Sequence, residues 1–192
     1  MKTKMLAVML AFATNAALAG SITNGDFATG DLTGWSANGP VSVGNNGSYN
    51  YASLYAGLGP NIYTTLSQTL HLDAGDVLTG NAQFFAHDYL PYNDDAFVSI
   101  NGFNLFASDV AAVGDYGTSM LTSFSWVATT TGDYVLTAGV ENYGDNINSS
   151  ELQVSNFAVA SNVPEPASIA LLGLGLAAVG VIRRKAANDN KS

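Results

Sequence analysis

The chain has 192 residues, carries fifteen acidic against six basic side chains for a formal net charge of −9, and contains no cysteine. Every cation lies near a terminus (Lys2, Lys4, Arg183, Arg184, Lys185 and Lys191), so residues 20–161 hold thirteen of the acids and no Lys or Arg. That distribution excludes nucleic acid as a partner, because phosphate binding depends on Lys and Arg, and the lack of cysteine excludes thiol catalysis, disulfides and Cys-ligated zinc.

Residues 1–19 read as a signal peptide: Lys2 and Lys4 precede an apolar core from Met5 to Ala13, and Ala17-Leu18-Ala19 has the A-x-A form that signal peptidase cuts. Cleavage is expected after Ala19. A retained membrane helix is disfavoured, because the apolar core is too short to span a bilayer.

Residues 20–161 are expected to form one all-β domain, an antiparallel two-sheet β-sandwich. In "TTLSQTLHL" Leu66, Leu70 and Leu72 alternate with Ser67, Thr69 and His71, and in "DYVLTAGV" Tyr134, Leu136, Ala138 and Val140 alternate with Val135, Thr137 and Gly139. This period of two is the mark of half-buried strands. "AFVSI", "FSWVA" and "ELQVSNFAVA" add further β-rich runs, and Asn101-Gly102 between "AFVSI" and "FNLFA" predicts a tight hairpin. Turn clusters at 45–47, 73–76 and 131–133 separate the rest, and no segment sustains a helical period.

Two groups of side chains in this domain could carry binding. Asp88, Asp94 and Asp95 place three carboxylates within eight residues, a donor set for calcium as cofactor, though without the spacing and central Gly of an EF-hand; the competing reading is a solvated turn. Tyr89, Tyr92, Tyr116 and Tyr143 flank loops rich in Asn and Asp and could stack against sugar rings, the alternative being ordinary strand-surface tyrosines. Trp35 and Trp126 are expected to pack. His71 and His87 have no nucleophile motif beside them, so the chain is read as not an enzyme.

Residues 162–192 form a tail. Ala167 to Ile182 is apolar, and its 16 residues would rise about 24 Å as a helix, a short transmembrane span, with Arg183, Arg184 and Lys185 held on the cytoplasmic side. Val163-Pro164-Glu165-Pro166, the apolar helix and the three cations together resemble the PEP-CTERM sorting tail of Gram-negative bacteria. That resemblance implies an exosortase as processing partner, transient inner-membrane anchoring, and delivery to the cell surface or extracellular matrix.

The domain carries a second resemblance. Asn24-Gly25-Asp26-Phe27, Gly30-Asp31-Leu32-Thr33-Gly34-Trp35 and the closing "SSELQVSNFAVA" are similar to jelly-roll domains related to carbohydrate-binding modules. "HDYLPYNDDAFVSI" and "GVENYGDNINSSELQVSNF" resemble segments of PEP-CTERM surface proteins with this architecture. The resemblance implies extracellular polysaccharide as ligand. The acids that hold a structural calcium in many such domains are replaced here by Ala28 and Ser155, so no calcium is expected there. A structural or adhesive matrix component with no defined ligand site is the alternative function, and a glycan hydrolase a third.

Overall fold

A computed structural model describes residues 20–161, together with Leu174 and Gly175. The expected signal peptide and its cleavage residues Ala17 and Ala19 lie outside the described residues. So do Val163, Pro164, Glu165, Pro166, Arg183, Arg184 and Lys185, and the apolar helix as a unit.

Ten strands and one short helix follow in chain order: β1 (Ser36–Asn38), β2 (Val41–Asn45), β3 (Asn50–Tyr55), β4 (Thr64–Leu72), β5 (Val77–Phe85), β6 (Asp95–Ile100), β7 (Phe103–Asp109), α1 (Val110–Val113), β8 (Thr122–Val127), β9 (Gly132–Glu141) and β10 (Glu151–Ala160). They form two five-stranded sheets, one ordered β1-β4-β9-β6-β7 and the other β2-β3-β10-β5-β8, with every strand pair antiparallel. The domain is an all-β sandwich.

The alternation seen in the sequence is what turns apolar side chains inward. β9 buries Tyr134, Leu136, Ala138 and Val140, and β4 buries Leu66, Leu70 and Leu72 opposite them in a nine-pair register. β4 also buries Gln68, which a hydrophobicity pattern would place outside. Its side chain accepts the Thr23 amide N–H at 2.7 Å and donates to the Thr23 carbonyl at 2.9 Å, so the polar group is satisfied by a segment 45 residues away. From the other sheet Leu54, Leu78, Phe84, Leu152 and Val154 complete the core.

The opening segment is pinned to the last strand by aromatic packing. Phe27, Trp35 and Phe157 stack with ring centroids 5.3 to 6.4 Å apart, and Trp35 Nε1 donates to the Asn24 carbonyl at 3.1 Å. The Phe157 amide donates to the Gly25 carbonyl. A Cβ on Gly25 would stand 2.1 Å from the Phe157 carbonyl oxygen, a distance no side chain tolerates.

The strands leave two different ends. At one, tight turns at 46–49, 73–76, 101–102 and 128–131 close the sandwich; Asn101 and Gly102 take φ of 46° and 80°, as a two-residue hairpin requires. At the other, the longer loops 56–63, 86–94, 110–121 and 142–150 gather.

Candidate functional site

A groove of about 610 Å³ runs along the outer face of β6 and β7, where Tyr63, Asp95, Phe97, Ser99, Asn104 and Asp109 line it. Its floor follows from register. Phe97 lies between Ala107 of β7 and Gly139 of β9, two residues with little or no side chain. A Cβ on Gly139 would come within 2.6 Å of the Phe97 ring, so glycine is what lets that ring lie across the neighbouring strand. Tyr63 packs edge-on against it, centroids 5.1 Å apart and planes at 77°.

Three acids stand in a row across the same face. Asp95 is in register with Glu141 on one side and Asp109 on the other. The Tyr63 hydroxyl donates to Asp95 Oδ1 at 2.7 Å. Burial pushes the Asp95 carboxyl above the usual carboxylate range, against the lowering effect of the Tyr63 and Glu141 hydrogen bonds, and the Asp109 charge adds to the rise. Glu141 is raised in the same sense, first by burial and then by the Asp95 charge. Burial and the adjacent Asp95 also push the Tyr63 hydroxyl well up. Asp109 is engaged elsewhere, accepting the Ala112 amide at 2.7 Å as the N-cap of α1.

At the loop end Tyr89, Tyr92 and Tyr116 form an aromatic cluster. Tyr89 meets Tyr92 nearly at a right angle with centroids 5.8 Å apart, and meets Tyr116 at 37° and the same distance. Tyr116 is 61% exposed, so its ring is open to solvent. Tyr143 is exposed in the adjoining loop but belongs to no ring pair among the described residues. Of the four tyrosines named from the sequence, three therefore come together.

The acidic loop needs a correction. Asp88, Asp94 and Asp95 do not converge, and among the described residues no group of three or more His, Asp or Glu has metal-holding geometry. Successive residues of a strand point to opposite faces, so Asp95 turns outward to Tyr63 while Asp94 turns inward. Asp94 Oδ1 accepts the Tyr143 amide at 2.9 Å and its Oδ2 accepts the Ser150 hydroxyl at 2.6 Å. Burial raises the Asp94 carboxyl despite those bonds, with the Asp88 charge contributing. Asp88 and Asp94 are both fully buried.

Trp126 packs against Tyr134 with centroids 5.2 Å apart. His71 pairs with Asp133 at 2.7 Å on the exposed outer face of β4 and β9, and His87 Nδ1 faces the Ser149 carbonyl at 2.8 Å. Neither ring hydrogen-bonds to a hydroxyl among the described residues. Of the groove's lining, sequence reasoning singles out only Asp95; Tyr63, Phe97, Ser99, Asn104 and Asp109 escape it, as do Gly139 and Glu141 on the neighbouring strand. Alternation within "DAFVSI" would have placed Asp95 and Phe97 on one face, but only the strand order brings Gly139 and Glu141 beside them.

Comparison with known proteins adds one local match and a set of distant folds. The family model for the PEP-CTERM protein-sorting motif matches residues 162–185. The chain thus carries the sorting motif of an exported protein that is anchored in the membrane before cleavage. No curated protein matches the chain. Among solved structures, it is similar to TmCBM61 in complex with beta-1,4-galactotriose, at 17% identity over 73% of this chain and 97% of that one, TM-score 0.48. It is similar to a family 16 carbohydrate-binding module at 17% identity over 73% and 99%, TM-score 0.44. A cyclase from Fischerella sp. TAU aligns at 14% identity over 73% and 96%, TM-score 0.43.

Proposed function

We propose that the protein is an exported, exosortase-processed surface or extracellular-matrix protein whose sandwich is a non-catalytic module for glycans, with the β6–β7 groove as the binding face. The observation that carries this reading is the lining of the groove: two aromatic rings, Tyr63 and Phe97, beside the polar side chains of Asp95, Ser99, Asn104 and Asp109. An apolar ring face suits the C–H surface of a sugar, and the flanking oxygens and amide suit its hydroxyls. Tyr89, Tyr92, Tyr116 and Tyr143 offer further aromatic surface at the loop end.

A glycan array probed with the full chain, followed by calorimetry on a soluble hit, tests the proposal. Binding is expected, and Phe97→Ala should abolish it. Unchanged binding by that variant would remove the groove as the site, and no binding on the array would leave the structural or adhesive reading in its place. Processing has its own test. Signal peptidase should leave Gly20 at the N-terminus of the mature protein. In a host with an exosortase, replacing Pro164, Glu165 and Pro166 by Ala should trap the chain in the inner membrane.

A further inference from the structure

The inward-facing rows of several strands meet at the loop end. The buried row of β5 runs Gly80, Ala82, Phe84 and continues past the strand through Ala86 to Asp88. On β6 and β9, Asp95 and Glu141 are opposed and face outward. The next pair in that register is Asp94 with Asn142, turned between the sheets. Ser150 joins the two sides: its hydroxyl donates to Asp94 at 2.6 Å, and its oxygen accepts the amide of His87, the residue before Asp88, at 3.2 Å. Asp88, Asp94, Asn142 and Ser150 are all 0% exposed.

This pocket of oxygens lacks a positive partner. Asp88 Oδ2 and Asn142 Oδ1 are buried without a hydrogen-bond partner among the described residues. Asp88 uses its other oxygen to accept the Tyr89 amide at 2.8 Å. Residues 20–161 contain no Lys or Arg that could pair with either carboxylate, and the His87 ring is turned to the Ser149 carbonyl. Two buried carboxylates and an amide oxygen form a hard, oxygen-only donor set of charge −2. Calcium accepts such sets in irregular geometry, whereas magnesium demands a near-ideal octahedron and gives up water reluctantly.

We infer that Asp88, Asp94 and Asn142 hold a calcium ion between the two sheets, beneath the loops that carry Tyr89, Tyr92, Tyr116 and Tyr143. Asp95 is no part of this site. The ion ties the 86–94 loop to the 142–150 loop, and the tyrosine cluster is built on the first of these. The inference stands apart from the groove, since its readout needs no glycan.

The test uses the full chain stripped with a chelator and titrated with calcium chloride, followed by calorimetry and thermal melting. One calcium should bind per chain. The melting temperature should rise by about 8 °C at a hundredfold excess over Kd, and magnesium at the same concentration should do much less. Asp88→Asn should remove the calcium response while its chelated form melts no lower than the chelated native protein, because a buried charge has gone. Asn142→Asp, which adds a third carboxylate, should tighten binding severalfold. Asp145→Asn, an acid of the same end outside the site, should respond as the native protein does. A chelated native protein that neither binds calcium nor shifts its melting point overturns the inference. So does a calcium response that survives Asp88→Asn, or binding weakened by Asn142→Asp.

Discussion

The two ends of the sandwich solve the same problem differently. At the turn end, the buried Asp76 is satisfied locally: its side chain accepts the Asp73 amide at 3.0 Å, and its backbone carbonyl accepts the Ala128 amide at 2.8 Å. The loop end holds three of the four buried side-chain atoms without a partner among the described residues, Thr64 Oγ1, Asp88 Oδ2 and Asn142 Oδ1; the fourth, Ser161 Oγ, sits at the last residue after β10. Native proteins leave few such groups, because each costs about 1–3 kcal/mol. The turn end thus relies on packing and local bonds, while the unpartnered buried groups gather mainly at the loop end, near the groove with its polar and aromatic lining.

Substitutions at the two ends should separate these roles. The largest effect is expected at the turn end. Phe157→Ala empties the contact among Phe27, Trp35 and Phe124 and should cost about 4 kcal/mol, read as a fall in melting temperature of roughly 10 °C, with glycan affinity unchanged in the protein that remains folded. Gly139→Ala, on the groove floor, should cost about 1–3 kcal/mol as the Phe97 ring is displaced, and should weaken glycan binding about tenfold in calorimetry, equal to about 1.4 kcal/mol. Tyr63→Phe removes one hydrogen bond to Asp95 and should cost about 1.5 kcal/mol in a denaturant titration. Tyr116→Ala, at the exposed edge of the tyrosine cluster, should change stability by less than about 0.5 kcal/mol. If Tyr116→Ala destabilised as much as Phe157→Ala, the contrast between the ends would be wrong.

Much of the sandwich was legible because its strands obey a local rule. The alternation in β4 and β9 and the Asn101-Gly102 turn each lie within a few residues, so the chain itself displays them. Gln68 broke the pattern because its partner, Thr23, is 45 residues away. The acidic loop is harder to read for a related reason. Asp94 and Asp95 are neighbours in sequence, yet the strand that begins between them sends their carboxyls to opposite faces. The groove was harder still: Phe97 became conspicuous only once β9 was placed beside β6, and nothing near Phe97 announces that Gly139 will lie under its ring. The tyrosines were easier, since the short loop between the consecutive strands β5 and β6 keeps Tyr89 and Tyr92 close, and the Tyr116 amide, donating to the Asp88 carbonyl at 2.8 Å, holds that ring beside them.

The position of β10 has a mechanical consequence. This strand lies inside its sheet, bonded to β3 on one side and β5 on the other, and it ends at the turn end, where the sorting tail follows. While that tail holds the chain at a membrane, any pull from outside enters the domain through Ser161 and runs along an interior strand. The pull meets first the ladder with β5, which runs to Ala160, and only deeper in the domain, at Glu151–Val154, do β3 and β5 hold the strand from both flanks. The same geometry sets a separation. In sequence the sorting tail follows the turn end, and the tyrosines stand a full strand away, about 33 Å for ten residues.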